Sequence, residues 1–250
     1  MARSWKAKRE IKRNIAGYRE TRRGSQSGAL TYALMRVCAV LLAVMIPFTA
    51  ALFAGNIIFR VPDLYSFEIG RSEILKDLEL SVSADEIADA ISEYMMHKSE
   101  ELSVTAEVRG KQIPVFGFME QVRVHALRGV LDKSFVVMCA MAVLSAVFFV
   151  LVLFFGRKKY LRHSFLAAIA VYIAIMCGTL YLAAADGALD PLMEKLLGDA
   201  PRPGDLLPEM FGQVFRMEAF AAVFVISLFV FVIVYSIAKR LTREEERMFA

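Results

Sequence analysis

The sequence has little of what a disulfide-bonded or metal-binding protein needs. Three cysteines and three histidines occur in 250 residues, and Cys38, Cys139 and Cys177 all fall inside long apolar runs. Neither a CxxC pair nor the cysteine–histidine spacing of a zinc site is present. These absences exclude a disulfide framework and a cysteine-bound metal, and we expect the protein to use no metal or other cofactor.

Two further shortages concern phosphate-binding loops and charge. The sequence contains no glycine-rich phosphate loop and no GxSxG turn of a serine hydrolase. Charged residues make up 22% of the chain and apolar residues 57%, whereas about 45–50% of a typical soluble domain is apolar. A soluble domain of this composition would expose so much apolar area that it would aggregate. The composition therefore favours a membrane protein over a soluble enzyme.

Four runs without any charged residue account for more than a third of the chain. Each is 20 to 23 residues long, and about 20 helical residues cross a hydrocarbon core about 30 Å thick. The sequence therefore predicts an all-α polytopic membrane protein with four transmembrane helices, at 37–59, 134–156, 164–185 and 219–238.

Basic residues are concentrated on one side of these predicted spans. The head (1–36), the 157–163 loop and the tail (239–250) together carry 18 basic and 5 acidic residues, and the segments 60–133 and 186–218 carry 12 and 21. Because basic segments stay in the cytoplasm, both termini are predicted to be cytoplasmic. The basic head lacks the signature of a nucleic-acid-binding fold, so we assign its charge to contact with anionic lipid and expect no nucleic acid.

The segment 60–133 is predicted to form a small α+β extracytoplasmic cap between the first and second spans. Ser83 and Glu86 have the spacing of a capping box at the start of a helix. Alternating apolar residues from Leu102 to Val108, followed by a turn candidate, predict a hairpin. From Phe118 onward, helical spacing leads directly into the second span. The apolar stripe of the capped helix comprises Ile87, Ile91, Tyr94 and Met95.

The other outer segment, 186–218, is predicted to lie on the membrane surface. Asp190 and Pro191 suit the start of a short helix with an apolar face, and Gly198 suits its end. We therefore expect both outer segments to place apolar side chains against the bilayer. An active site for lipid would need this, and so would simple anchoring.

The candidate chemistry lies at the outer ends of the spans. No Asp, Glu, Lys, Arg or His lies deep in a predicted span, which disfavours an ion-coupled transporter. His125 could act as a general base on an amine or water, or be an ordinary surface histidine. Asp186 could orient it, or simply end the third span. Glu120 is a further outer carboxylate, five residues before His125. His97 is expected to stabilise the end of the capped helix, and His163 to belong to the basic cytoplasmic collar.

Several of these features together resemble a known family. The four-span layout, the Phe59–Tyr65 exit, the Ser83–Met95 helix, the Phe116–Phe118 segment and the helix that bears His125 resemble the lipoprotein intramolecular transacylase (Lit-like) family of bacterial integral membrane proteins. In that family, one outer histidine precedes the second span and another ends the third. They are held to move an acyl chain from the glyceryl group of a lipid-modified N-terminal cysteine to its amine.

The resemblance implies an acyltransferase in the bacterial plasma membrane, with membrane lipid and a lipoprotein N-terminus as partners. It places His125 at the first histidine position, with Arg128 where an acidic residue is expected. Asp186 stands near the second position, where the histidine is missing. One hypothesis is therefore an acyl-transfer enzyme in which His125 is the base and Asp186 orients it. The alternative is a non-enzymatic or inactive homologue whose cap binds a partner or envelope component; a lipid or small-molecule transporter ranks third.

Overall fold

The computed structural model describes residues 31–72, 75, 81–108, 111–155, 158–185 and 212–243. The predicted interfacial helix near 190–198 and the candidate Asp186 lie outside these ranges. The described elements, in chain order, are α1 Thr31–Ile58, α2 Pro62–Ser72, α3 Ala84–Met95, β1 Thr105–Val108, β2 Lys111–Pro114, α4 Phe118–Phe155, α5 Lys158–Ala184 and α6 Gln213–Arg243.

Four of these helices, α1, α4, α5 and α6, are long and apolar enough to cross a membrane. Large apolar side chains along them remain exposed, such as Phe154 at 75% and Phe229 at 67%, and only lipid can cover apolar surface on this scale. The prediction of a four-span polytopic membrane protein with a small α+β cap between the first two spans is confirmed.

The spans pack through small residues and a few interhelical hydrogen bonds. Ser164 on α5 donates to the carbonyl oxygen of Ala39 on α1, and the hydroxyls of Tyr172 and Ser227 lie 2.9 Å apart between α5 and α6. Alanines at such contacts let helix backbones approach closely, which is how helices associate in lipid. The buried cluster that joins α1, α4, α5 and α6 includes Ala39, Leu42, Val152, Leu161, Ala168 and Phe231.

Helix α4 carries the chain from the cap into the membrane without a break. Its 38 residues correspond to a length of about 57 Å, whereas the hydrocarbon core is about 30 Å thick. The amide of Asn56 donates to Ser134 Oγ at 2.9 Å, and Arg60 pairs with Asp132 at 2.9 Å. These contacts fix α4 to the end of α1 at the start of its uncharged segment, so the N-terminal turns of α4 project into the cap.

The cap (residues 60–133) has its own apolar core. The α3 helix begins where Ser83 Oγ accepts the backbone N–H of Glu86 at 3.2 Å. Strands β1 and β2 pair antiparallel, with Thr105 opposite Pro114 and Val108 opposite Lys111. The predicted apolar stripe of α3 is buried, and it packs against α2, α4 and the start of α6. The core comprises Tyr65, Ile69, Ile87, Ile91, Tyr94, Met95, Phe116, Val124 and Phe215, among others.

Candidate functional site

A polar cluster forms where the end of α3 lies against the cap portion of α4. His125, Arg128 and Asp132 are spaced by three and four residues, so they share one face of α4. The last turn of α3 supplies Tyr94, and His97 follows that helix directly. Docking of the apolar stripe of α3 on the cap core therefore brings these five polar side chains together.

The first part of the cluster is the Tyr94–His125 pair. Tyr94 Oη lies 2.8 Å from His125 Nδ1. Tyr94 is 5% exposed, whereas His125 is exposed, so one ring nitrogen is held by a buried hydroxyl. Nε2 has no hydrogen-bond partner among the described residues. A general base needs this arrangement, because one nitrogen is oriented while the other is open to a substrate.

The second part, the His97 network, comprises His97, Arg128, Asp132 and Arg60. The Arg128 guanidinium lies 4.5 Å from the ring centroid of Tyr94 and hydrogen-bonds to His97 Nδ1. His97 Nε2 lies 2.9 Å from Asp132 Oδ2, and Asp132 Oδ1 pairs with Arg60. Because a guanidinium only donates, His97 Nδ1 accepts from Arg128. Arg128 Nε also lies 3.4 Å from His97 Nε2, farther from it than Asp132 Oδ2 is. The network thus holds the His97 ring between the Arg128 guanidinium and the Asp132 carboxylate.

The cluster begins just outside the uncharged segments of α1 and α4. Asp132 and Arg60 flank the ends of the uncharged segments of α4 and α1. His125 precedes Asp132 by seven residues, which is about 10 Å along a helix axis. The polar interfacial layer adds about 5–8 Å to each side of the hydrocarbon core. His125 therefore lies beyond the hydrocarbon core, at the outer edge of the headgroup layer, rather than beside the acyl chains.

The candidates named from the sequence fall in different places. Glu120 is 3% exposed, and its Oε2 accepts the backbone N–H of Gly117 at 2.8 Å. This is the reciprocal half of a capping box at the start of α4, away from the Tyr94–His125 pair. Asp186 lies outside the described residues. Among those residues, no three histidine, cysteine, aspartate or glutamate side chains are placed to hold a metal ion.

Sequence reasoning missed Tyr94 and the His97 network as site residues. It assigned Tyr94 to the apolar stripe of α3 and His97 to the end of that helix. The three- and four-residue spacing of His125, Arg128 and Asp132 along one helix was the available signal. Identifying their partners required knowing which face of α3 docks on α4.

A second polar cluster links the cap to the start of α6. Arg71 on α2 pairs with Glu68 of the same helix and with Glu218 Oε1 at 2.5 Å. Glu68 is 4% exposed, and its burial raises the pKa of this carboxyl. Arg71 opposes the rise in pKa, whereas the negative charge of Glu218 and a hydrogen bond between the two carboxyl groups add to it. This cluster was not found from the sequence.

We expect the Glu68→Gln variant to be more stable than the parent at neutral pH. The pKa of Glu68 is higher in the folded than in the unfolded state. The stabilisation that Glu68 adds to the free energy of unfolding is therefore present at low pH and is lost as the pH rises through the folded pKa. Thermal unfolding midpoints of the parent and of Glu68→Gln, measured in detergent between pH 4 and 8, should diverge toward neutral pH and converge in acid. The exposed Glu107→Gln substitution on β1 serves as the control. A difference between the two midpoints that widens in acid would contradict a raised pKa for Glu68.

No family model matches the sequence, and no curated protein does either. Solved structures do match. A structure of the membrane integral lipoprotein intramolecular transacylase Lit from Bacillus cereus, with one histidine replaced by arginine, superposes with a TM-score of 0.67. The match covers 91% of this chain and 100% of that chain at 20% identity. The chain has the fold of Lit.

Two further Lit structures from Bacillus cereus agree with this result. One carries a histidine-to-alanine substitution, and both superpose with a TM-score of 0.62 over 86% of this chain. They share 20% and 21% sequence identity with it, and 99% and 96% of their own lengths are covered. The resemblance inferred from the sequence is therefore confirmed at the level of the Lit fold.

Proposed function

We propose that this chain is a membrane acyltransferase that moves an acyl chain within the N-terminus of bacterial lipoproteins, from the glyceryl group to the cysteine amine. The observation that carries the proposal is the Tyr94–His125 pair: a Lit fold presents, at the membrane surface, an exposed histidine that is oriented through one ring nitrogen. The substrate carries its ester and its amine close together, next to the glyceryl group, at the surface of the bilayer.

The proposal includes a location and an orientation. The charge difference between the two sides of the spans favours a bacterial plasma membrane, with both termini in the cytoplasm. The cap (60–133) and the 186–218 segment then lie on the outer leaflet. Membrane lipid and a lipoprotein N-terminus are the proposed partners, because a lipoprotein reaches this side with its diacylglyceryl group already in the bilayer.

In the proposed reaction, His125 carries one proton from the amine to the glyceryl oxygen. The amine nitrogen attacks the ester carbonyl carbon, and His125 Nε2 removes the proton that nitrogen loses as the C–N bond forms. The C–O bond then breaks, and the glyceryl oxygen takes the proton back from Nε2. The products are an amide and an alcohol, with no net change in protons. This sequence uses one histidine first as base and then as acid.

Tyr94 takes the orienting role that the sequence suggested for Asp186. When Nδ1–H donates to Tyr94 Oη, the lone pair of His125 is at Nε2, which is the tautomer that the base requires. A hydroxyl can accept this bond as a carboxylate does in a catalytic triad, although without its negative charge. The buried position of Tyr94 keeps its hydroxyl fixed.

The test is expression of the full chain in a bacterial host that lacks this activity. Intramolecular transfer adds no atoms, so the intact mass of a lipoprotein N-terminal peptide stays the same. Fragment ions in tandem mass spectrometry should instead show an N-linked acyl group and a single acyl chain on the glyceryl group. If the protein is present in the membrane and N-termini keep a free amine with two glyceryl acyl chains, the proposal is wrong. The alternative of a cap that binds a partner would then be favoured.

A further inference from the structure

The backbone of His97 adopts a conformation that is uncommon for a residue other than glycine. Its φ of 60° is the only positive φ of a non-glycine residue in the described part of the chain. Residues just beyond a helix end often adopt this left-handed conformation, and glycine does so without steric cost. The His97 N–H still bonds to the carbonyl oxygen of Tyr94 at 3.2 Å, as a glycine would allow. A histidine here therefore suggests that the imidazole itself is needed.

The imidazole connects two charged groups that would otherwise be independent. Nε2 lies 2.9 Å from Asp132 Oδ2, and Nδ1 accepts from Arg128. Asp132 is itself fixed by Arg60 at the end of α1. His97 thus anchors Arg128 to a carboxylate that belongs to the membrane-facing end of the cap.

Arg128 connects His97 to the Tyr94–His125 pair, because it contacts both His97 and the ring of Tyr94. Its guanidinium lies over the Tyr94 ring at 4.5 Å, within the range of a cation–π contact. The opposite end of the same tyrosine holds His125 Nδ1. Without His97, the long Arg128 side chain would be free to leave the ring for water. Tyr94 would then lose a contact that fixes its ring, and the bond to His125 would loosen.

We infer that His97, Arg128 and Asp132 are positioning residues that hold Tyr94, and through it the base His125, in the reactive geometry. This inference rests on the proposed function for its catalytic consequence. Misplacement of a reacting group by about 1 Å can cost about 100-fold in rate, so a loosened pair should slow the reaction. Substrate binding does not use these contacts and should change little.

Two substitutions of His97 separate positioning from proton transfer and from folding. His97→Gly suits the left-handed backbone but removes both side-chain bonds. His97→Gln keeps one amide donor for Asp132 and one carbonyl acceptor for Arg128, yet cannot titrate. With a synthetic diacylglyceryl lipopeptide in detergent micelles, we expect His97→Gly to lower kcat about tenfold or more and to leave KM nearly unchanged. His97→Gln should recover most of the parent kcat, and the exposed Lys98→Gln should match the parent.

Nuclear magnetic resonance of the full chain in detergent, with 15N-labelled histidines, provides a readout that needs no activity. The His125 Nδ1 signal should shift in His97→Gly and return toward the parent position in His97→Gln. An unchanged His125 signal with unchanged kcat in His97→Gly would overturn the inference. A His97→Gln variant that restores the His125 signal but is as inactive as His97→Gly would also overturn it, because the imidazole would then be transferring protons itself. If the parent shows no acyl transfer, the proposed function fails, and the resonance experiment still decides the positioning.

Discussion

Replacement of His125 by alanine is expected to lower acyl transfer by about 10²- to 10⁴-fold, the usual contribution of general acid–base catalysis. In the Tyr94–His125 pair, Nδ1 is bonded to the tyrosine hydroxyl, so Nε2 is the ring nitrogen that can act as the base. Because the side chain is exposed, its removal leaves no internal cavity and should cost little stability. The measurement is the rate at which N-acylated lipopeptide appears in tandem mass spectra, with equal amounts of each variant in the membrane.

The matched control for His125→Ala is His163→Ala. His163 is also a histidine on a described helix, but it lies near the start of α5, which follows the end of α4 that is farthest from the cap. Its loss should leave the rate at the parent value. If His125→Ala retains the parent rate, His125 is not the base. The reaction, where it occurs, must then use a group elsewhere in the chain.

The membrane topology follows from physical quantities that a sequence carries directly. A span needs a certain number of uncharged residues, and each of the four runs meets that length by itself. The cap elements are also local, because Ser83 with Glu86 and the alternation before Val108 need no distant partner to be recognised. These features were therefore predictable one segment at a time.

The site was less predictable because its contacts join segments far apart in the chain. Tyr94 and His125 are separated by 31 residues, and Arg71 and Glu218 by 147. The stripe of α3 correctly indicated that Tyr94 is buried, but burial of a tyrosine ring leaves its hydroxyl free to bind any neighbouring polar group. Choosing His125 requires the rotation of α3 against α4, which is set by the whole cap core.

The arginine at position 128 illustrates the same limit. From the sequence it was a departure from the acidic residue expected there by resemblance. In the structure, its cation lies over Tyr94 and its donors reach His97, whose other nitrogen is held by Asp132. A basic residue is the chemically suitable one for both contacts, since a carboxylate would be repelled by the ring face and by Asp132.

Replacement of Tyr94 by phenylalanine is expected to lower kcat by about 10- to 100-fold without unfolding the cap, because the loss of an orienting bond misplaces the base. Phenylalanine keeps the ring that packs with Ile91 and Met95 in the core, and it keeps the aromatic face under Arg128. Only the hydroxyl that holds His125 Nδ1 is lost. His125 then has no fixed tautomer or ring orientation, so the fraction of the enzyme with its Nε2 lone pair aimed at the amine falls. Rates measured over a range of lipopeptide concentrations should show that KM is nearly unchanged.

Tyr65→Phe is the matched control, because it removes a hydroxyl of the same kind that has no link to the base. Tyr65 is fully buried on α2, and its hydroxyl donates to the carbonyl oxygen of Phe59 at 2.8 Å. Burial raises the pKa of this phenol, so it remains a neutral donor. Its loss should cost about 1 kcal/mol of stability and lower the thermal midpoint, while kcat per folded protein stays at the parent value. If both tyrosine variants lose activity only in proportion to their stability, then Tyr94 is a core residue and His125 must be oriented by another group.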